Sequence, residues 1–147
     1  MIKRDIHKEL LQCAGEYPAV TILGPRQSGK TTLARMTFPD LGYCSLEEPD
    51  MRRIAEKDPR GLLADYAEGV ILDEIQRVPE LLSYLQWVID QDQRPGRFIL
   101  TGSHQPDIRH AVHQSLAGRT VILELLPVSV NGLRKYGKDF SNAYSLI

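Results

Sequence analysis

The chain has 147 residues, with 18 Lys and Arg against 19 Asp and Glu and a formal net charge of −1. That length suits one domain with a single core, and 42% apolar with 25% charged residues is a globular composition. The near-neutral balance gives no electrostatic case for nucleic acid as a partner, although a local basic patch can sit inside a neutral total. No stretch is long and apolar enough to span a bilayer, and the charged N-terminal run lacks the apolar core of a secretory signal. A cytoplasmic protein with no membrane partner is therefore expected. Cys13 and Cys44 are the only thiols, with no C-x-x-C, so a reduced pair is expected.

In chain order, Ile2 to Ala14 carries Ile2, Ile6, Leu10, Leu11 and Cys13 at helical spacing. Tyr17-Pro18 ends that helix, and Ala19-Val20-Thr21-Ile22-Leu23 reads as a buried strand. Gly24-Pro25-Arg26-Gln27-Ser28-Gly29-Lys30-Thr31 then fits G-x-x-x-x-G-K-[ST] at every fixed position. Such a loop lets the backbone curl around an anion. The N–H groups of Gln27 to Thr31 point at phosphate oxygens, and the following helix adds its positive end. Lys30 would reach the β- and γ-phosphates, and the Thr31 hydroxyl would coordinate Mg²⁺. The plain alternative is a glycine turn with an incidental lysine, and Arg26 stands between phosphate contact and solvent exposure.

A helix from Thr31 to Met36 ends near Phe38-Pro39. Tyr43 to Leu46 is a second strand, Glu47 to Asp50 a turn, and Met51 to Lys57 a helix closed by Asp58-Pro59. Leu62 to Ala67 is a further helical piece. Val70-Ile71-Leu72 is a buried strand that delivers Asp73 and Glu74 at its C-terminal end, where open α/β sheets bind ligands. Behind a phosphate loop, Asp73 is a candidate for holding Mg²⁺ and Glu74 for deprotonating an attacking water. Alone, the same pair reads as a strand running into a polar loop.

Leu81 to Asp90 is a helix with Trp87 expected in the core, and Arg97 to Thr101 is a fourth strand. The Thr101 or Ser103 hydroxyl could contact the attacking water or the γ-phosphate, or Thr101-Gly102-Ser103 is ordinary turn chemistry. Ile108 to Ala117 is a helix with Gly118 at its end. Arg119 follows, either as a finger reaching a neighbouring subunit's γ-phosphate or as a cation at a helix C-terminus. Thr120 to Leu126 is a fifth strand stopped by Pro127, and the polar tail from Asn131 gives no clear signal. His7, His104, His110 and His113 form no metal set, and the last two share a helix face expected in solvent. Buried strands alternating with helices predict an α/β fold, a parallel sheet covered on both faces.

Gly24 to Thr32, Leu72-Asp73-Glu74-Ile75-Gln76, Ile99-Leu100-Thr101-Gly102-Ser103, Leu116-Ala117-Gly118-Arg119 and Leu123-Glu124-Leu125-Leu126-Pro127 together resemble P-loop ATPases of the additional-strand type. In particular they are similar to the bacterial and archaeal predicted ATPases with an AAA-like core called the "AAA 14" family. The likeness runs to about Leu133. It implies a three-layer P-loop NTPase sheet of about five parallel strands, with one strand inserted between the phosphate-loop strand and the Asp-Glu strand. It also implies ATP and Mg²⁺ as ligands. Gly24, Gln27, Ser28, Gly29, Lys30, Thr31 and Thr32 would lie at the nucleotide, Thr31 and Asp73 at the metal, and Glu74, Thr101, Ser103 and Arg119 at the chemistry.

The domain reading is an AAA-like core over 1–133 and a polar tail over 134–147. Relatives usually continue into a helical segment and often a nuclease-like domain, so a chain cut short of these is expected. The leading functional expectation is ATP binding with Mg²⁺-dependent hydrolysis. A nucleotide-gated binding module, a DNA-associated switch with little turnover, or an inactive remnant are the alternatives. A small-molecule kinase shares the loop, but no arginine-rich lid supports it. A homo-oligomer and a DNA or protein partner remain the partner candidates beside the nucleotide.

Overall fold

The apolar runs become the strands of one sheet in the computed structural model, which describes residues 2–25, 28–125, 133–136 and 144–145. Helix α1 (Ile2–Ala14) leads into β1 (Ala19–Leu23), followed by α2 (Lys30–Thr37) and β2 (Gly42–Ser45). Helices α3 (Pro49–Lys57) and α4 (Pro59–Ala64) precede β3 (Val70–Asp73) and a 3-10 turn (Ile75–Arg77). Then come α5 (Leu81–Gln91), β4 (Phe98–Gly102), α6 (Pro106–Leu116) and β5 (Thr120–Leu125). Two further strands, β6 (Leu133–Tyr136) and β7 (Tyr144–Ser145), complete the sheet in the order β2-β3-β4-β1-β5-β6-β7.

β1 to β5 run parallel, and β4 sits between β1 and β3 as the family resemblance implies. Because Leu23 is level with Gly102, and Leu72 with Leu100, the C-terminal ends of β1, β3 and β4 share one edge. That edge is where the loops carrying Lys30, Glu74 and Ser103 emerge.

Side chains alternate across each strand, so one sheet feeds two cores. Ile6, Leu10 and Cys13 of α1 and Ala34 of α2 pack with Val20, Ile22, Ile71, Ile99, Val121 and Leu123. On the other face α3 to α6 cover Leu23, Val70, Leu72, Phe98, Leu100 and Ile122. Both faces being dry explains why the strands read as continuous apolar runs. Thr21 and Thr120 are the polar exceptions under α5 and α6, and their hydroxyls hydrogen-bond each other at 3.0 Å.

Three differences from the sequence reading have physical causes. Helices α3, α4 and α6 begin at Pro49, Pro59 and Pro106, earlier than the apolar spacing suggested. Proline is tolerated at the first helical position because its missing N–H has no intrahelical acceptor there. Glu48 and Asp58 cap α3 and α4 by accepting from the N–H of Met51 and Gly61. Second, Trp87 is 49% exposed, not core. The buried stripe of α5 is Leu81, Leu82, Leu85 and Ile89, and Trp87 falls off it, under the Arg60 guanidinium at 4.7 Å. Third, the tail read as patternless supplies β6, antiparallel to β5, and β7, antiparallel to β6.

Candidate functional site

Gly24 closes β1, its N–H donating to the Gly102 carbonyl at 3.1 Å. A Cβ there would lie 2.9 Å from Ser28 Oγ and 3.1 Å from the Leu125 carbonyl, so a side chain would make the Ser28 hydroxyl and the β5 end give way. Gly29 has φ 87°, a left-handed conformation that favours glycine, and it is the N-cap of α2. Lys30 follows as the first residue of that helix and is only 4% exposed. Its Nζ lies 3.5 Å from the Pro25 carbonyl and 3.6 Å from Glu74 Oε2. Arg26 and Gln27 lie outside the described residues, so the contact expected of Gln27 is not described.

Asp73, at the end of β3, is buried and accepts from three hydroxyls. Thr31 Oγ1 and Thr101 Oγ1 both donate to Oδ1, at 2.7 and 2.6 Å, and Tyr43 Oη donates to Oδ2 at 2.8 Å. Thr101 also accepts from the Glu74 N–H at 3.0 Å. Charge-assisted O–H···O⁻ bonds of this length are strong, and they fix the carboxylate beside the start of α2. Burial first, then the hydrogen bond and charge of Asp73, push the Tyr43 hydroxyl up to about 12. Burial and the same carboxylate push the neighbouring Cys44 thiol up to about 11.

Glu74 has φ 63°, and it alone among the described non-glycine residues is left-handed. Gln76 Nε2 donates to Glu74 Oε1 at 2.7 Å, and Gln76 Oε1 accepts from the Ser103 N–H at 3.1 Å. Ser103 Oγ is buried and has no hydrogen-bond partner. Gly24, Lys30, Glu74, Gln76, Ser103 and Gln105 line one open groove at this edge.

The structure thus brings Gly24, Ser28, Gly29, Lys30, Thr31, Asp73, Glu74, Thr101 and Ser103 to one place. Thr32 lies on α2 and is exposed. Arg119 lies elsewhere: it immediately precedes β5, at the sheet edge opposite the loops. Its Nε and Nη2 donate to the two Asp90 carboxylate oxygens at 2.8 and 3.0 Å, which pushes the Asp90 carboxyl down and the guanidinium up. Tyr43 and Gln76 were not singled out from sequence. Gln76 lies inside a quoted motif, but nothing local marks Tyr43. Its contact depends on β2 lying beside β3 with Ser45 level with Asp73.

The buried Lys30 ammonium lines the groove, as an anion would require, and Ser103, another lining residue, carries a buried hydroxyl with no partner. A hydroxyl and a carboxylate at 2.7 Å form an all-oxygen donor pair that fits Mg²⁺. Among the described residues no helix is long and apolar enough to cross a membrane.

A solved P-loop NTPase domain, of the Sigma-54 transport activator from E. coli, superposes with a TM-score of 0.57 at 17% identity, covering 86% of this chain and 95% of that one. That likeness is one of fold. "Uncharacterized protein Mb2031c" of Mycobacterium bovis and "Uncharacterized protein Rv2008c" of Mycobacterium tuberculosis are each 34% identical over 140 residues. The match takes in 93% of this chain but 31% of those relatives' length. The family model described as "AAA domain" (AAA_14) matches residues 16–138, from the end of α1 through the loop, the carboxylates and β6, and the chain belongs to that family of P-loop nucleotide-binding domains.

Proposed function

We propose that the chain is the catalytic core of an ATPase, binding Mg²⁺-ATP at the loop-bearing edge of the sheet and cleaving its terminal phosphoanhydride with water. The observation that supports this reading is the convergence of Lys30, Thr31, Asp73 and Glu74, from α2 and the end of β3, within 3.6 Å links. The preference for adenine rests on the family resemblance alone.

The α2 N-terminus, its backbone N–H groups and Lys30 bind the phosphates. Thr31 Oγ1 and the Asp73 carboxylate hold Mg²⁺, and Tyr43 and Thr101 keep that carboxylate in place. When bound, Mg²⁺ offsets the negative charge on the phosphate oxygens. Glu74 takes a proton from water as the water oxygen bonds to the terminal phosphorus. The bond to the bridging oxygen breaks, and ADP leaves with that electron pair. Of the two hydroxyls considered at the end of β4, Thr101 is committed to Asp73 and the Glu74 N–H, so the free Ser103 hydroxyl is the one that meets the terminal phosphate. Arg119 faces away from its own chain's nucleotide. It could serve only another copy's site, after releasing Asp90.

Calorimetry of Mg²⁺-ATP binding, beside steady-state turnover, tests the reading. Lys30→Ala should abolish binding, and Glu74→Gln should bind normally with turnover reduced at least about 100-fold. A glutamine variant that hydrolyses ATP at the parent rate would remove Glu74 from the mechanism. Two contacts favour a second reading, a slow nucleotide-gated switch: both Glu74 oxygens are already engaged, by Gln76 and Lys30. Fast single-turnover hydrolysis would exclude it.

A further inference from the structure

Gln76 joins the loop after β3, where it stands, to the loop after β4 through its side-chain amide. Its two ends have opposite requirements. The Ser103 N–H can only donate, so it needs an acceptor, and the Glu74 carboxylate can only accept, so it needs a donor. A carboxylate of the same length serves the first and repels the second. A leucine serves neither. The amide orientation is fixed by these partners, at 3.1 Å to Ser103 and 2.7 Å to Glu74.

The surroundings make room for this bridge. A Cβ at Gly102 would lie 3.2 Å from Gln76 Oε1 and 3.1 Å from Ile75 Cγ2, tighter than ordinary contact. Glu74 is held in a left-handed backbone conformation, and non-glycine residues stay there only when neighbours over-determine it. The Thr101 hydroxyl on the Glu74 N–H supplies one such constraint and the Gln76 amide on its carboxylate another. On the same Ser103 whose N–H is bound, the side-chain hydroxyl is buried without a partner, and the residue lines the groove.

We propose that Gln76 is a positioning residue that couples the Glu74 carboxylate to Ser103, so that a terminal phosphate engaging the Ser103 hydroxyl re-aims Glu74 through the amide. This rests on the ATPase reading for the identity of the ligand. The bridge moves with the Ser103 backbone, and any shift of that backbone changes the 2.7 Å contact on Glu74. In the arrangement described, Gln76 and Lys30 together hold both carboxylate oxygens. Engagement of phosphate by Lys30 and Ser103 would free one oxygen and turn the other.

The test uses Gln76→Leu and Gln76→Glu on the 147-residue chain. Hydrogen exchange at the Ser103 amide reports the bridge without catalysis. Protection should fall in Gln76→Leu and persist in Gln76→Glu, which keeps an acceptor. The Gln76 side-chain amide resonances of the parent should shift on adding Mg²⁺ with a non-hydrolysable ATP analogue, and shift less with Mg²⁺-ADP. In turnover assays both variants should lose roughly 10- to 100-fold in kcat with KM nearly unchanged, the scale expected when a reacting group is misplaced by about an ångström. Unchanged Ser103 exchange in Gln76→Leu would overturn the proposal, as would a parent-like kcat in both variants. If the parent binds the analogue but hydrolyses nothing, the ATPase reading fails. The nucleotide-dependent Gln76 shift then decides the coupling by itself: its presence supports the proposal and its absence overturns it.

Discussion

Asp73 is held by hydroxyls from α2, β2 and β4, and each of these reaches it from a different part of the sequence. The arrangement ties the site to alkaline stability. The Tyr43 hydroxyl is raised from 10.0 to about 12 and the Cys44 thiol from 9.0 to about 11, both mainly by burial and then by Asp73. The neutral forms are therefore favoured in the folded chain. Their contribution is complete below the unfolded values and is lost as pH rises through the folded ones. Stability measured by denaturant titration should be level to about pH 9 and then decline toward pH 12. Tyr43→Phe should remove the part of that decline above pH 10, at the cost of one hydrogen bond to Asp73. An unchanged alkaline profile in Tyr43→Phe would mean the tyrosine ionises freely in the fold. At this scale the sequence was partly readable. Lys30, Thr31, Asp73 and Glu74 lie in contiguous motifs whose chemistry is local. Tyr43 and the bridging role of Gln76 depend on which strands become neighbours, and local spacing does not encode that.

At the scale of elements, mostly apolar runs located β1, β3, β4 and β5, because strands buried on both faces carry few polar residues, and the half-buried β2 was read from Tyr43 to Leu46 between its flanking helices. Helix starts were read late for the opposite reason: Pro49, Pro59 and Pro106 look like breaks but serve as first helical residues. Trp87 was expected in the core, but it falls off the buried stripe of α5 formed by Leu81, Leu82, Leu85 and Ile89. The entry to β3 shows how tightly one element is fixed. Gly69 has φ 126°, and a Cβ there would lie 2.6 Å from Leu41 Cδ2 and 2.9 Å from the Arg97 carbonyl. Leu41 can shift, but the Arg97 backbone is held by its N–H to Pro18 and its carbonyl to the Val70 N–H. Gly69→Ala should cost about 1–3 kcal/mol through overpacking and backbone strain. The loss should show in the denaturation midpoint, with little change in nucleotide affinity when the chain is folded. A stability equal to the parent's would show that the β3 entry can relax.

Across the whole molecule, the sheet separates two ends with different chemistry. The loops of the candidate site leave one edge, and the Arg119–Asp90 pair ties the start of β5 to α5 near the other. Arg119→Ala should leave Mg²⁺-ATP affinity unchanged and lower stability only slightly, as an exposed ion pair does. If the variant instead abolishes turnover while binding persists, and the parent's activity per chain rises with concentration, Arg119 acts on a neighbouring copy. The order of the strands along the sheet carries one more consequence. β1 opens the phosphate loop early in the chain, but its partners β4 and β5 are among the later strands: Ala19 pairs with Phe98 and Thr120. Such distant pairings are slow to form. On the ribosome, the glycine-rich turn would be made long before anything could hold it in shape. Ligand recognition should therefore arise late and all at once, when β5 emerges, and a nascent chain halted before that point should be blind to nucleotide.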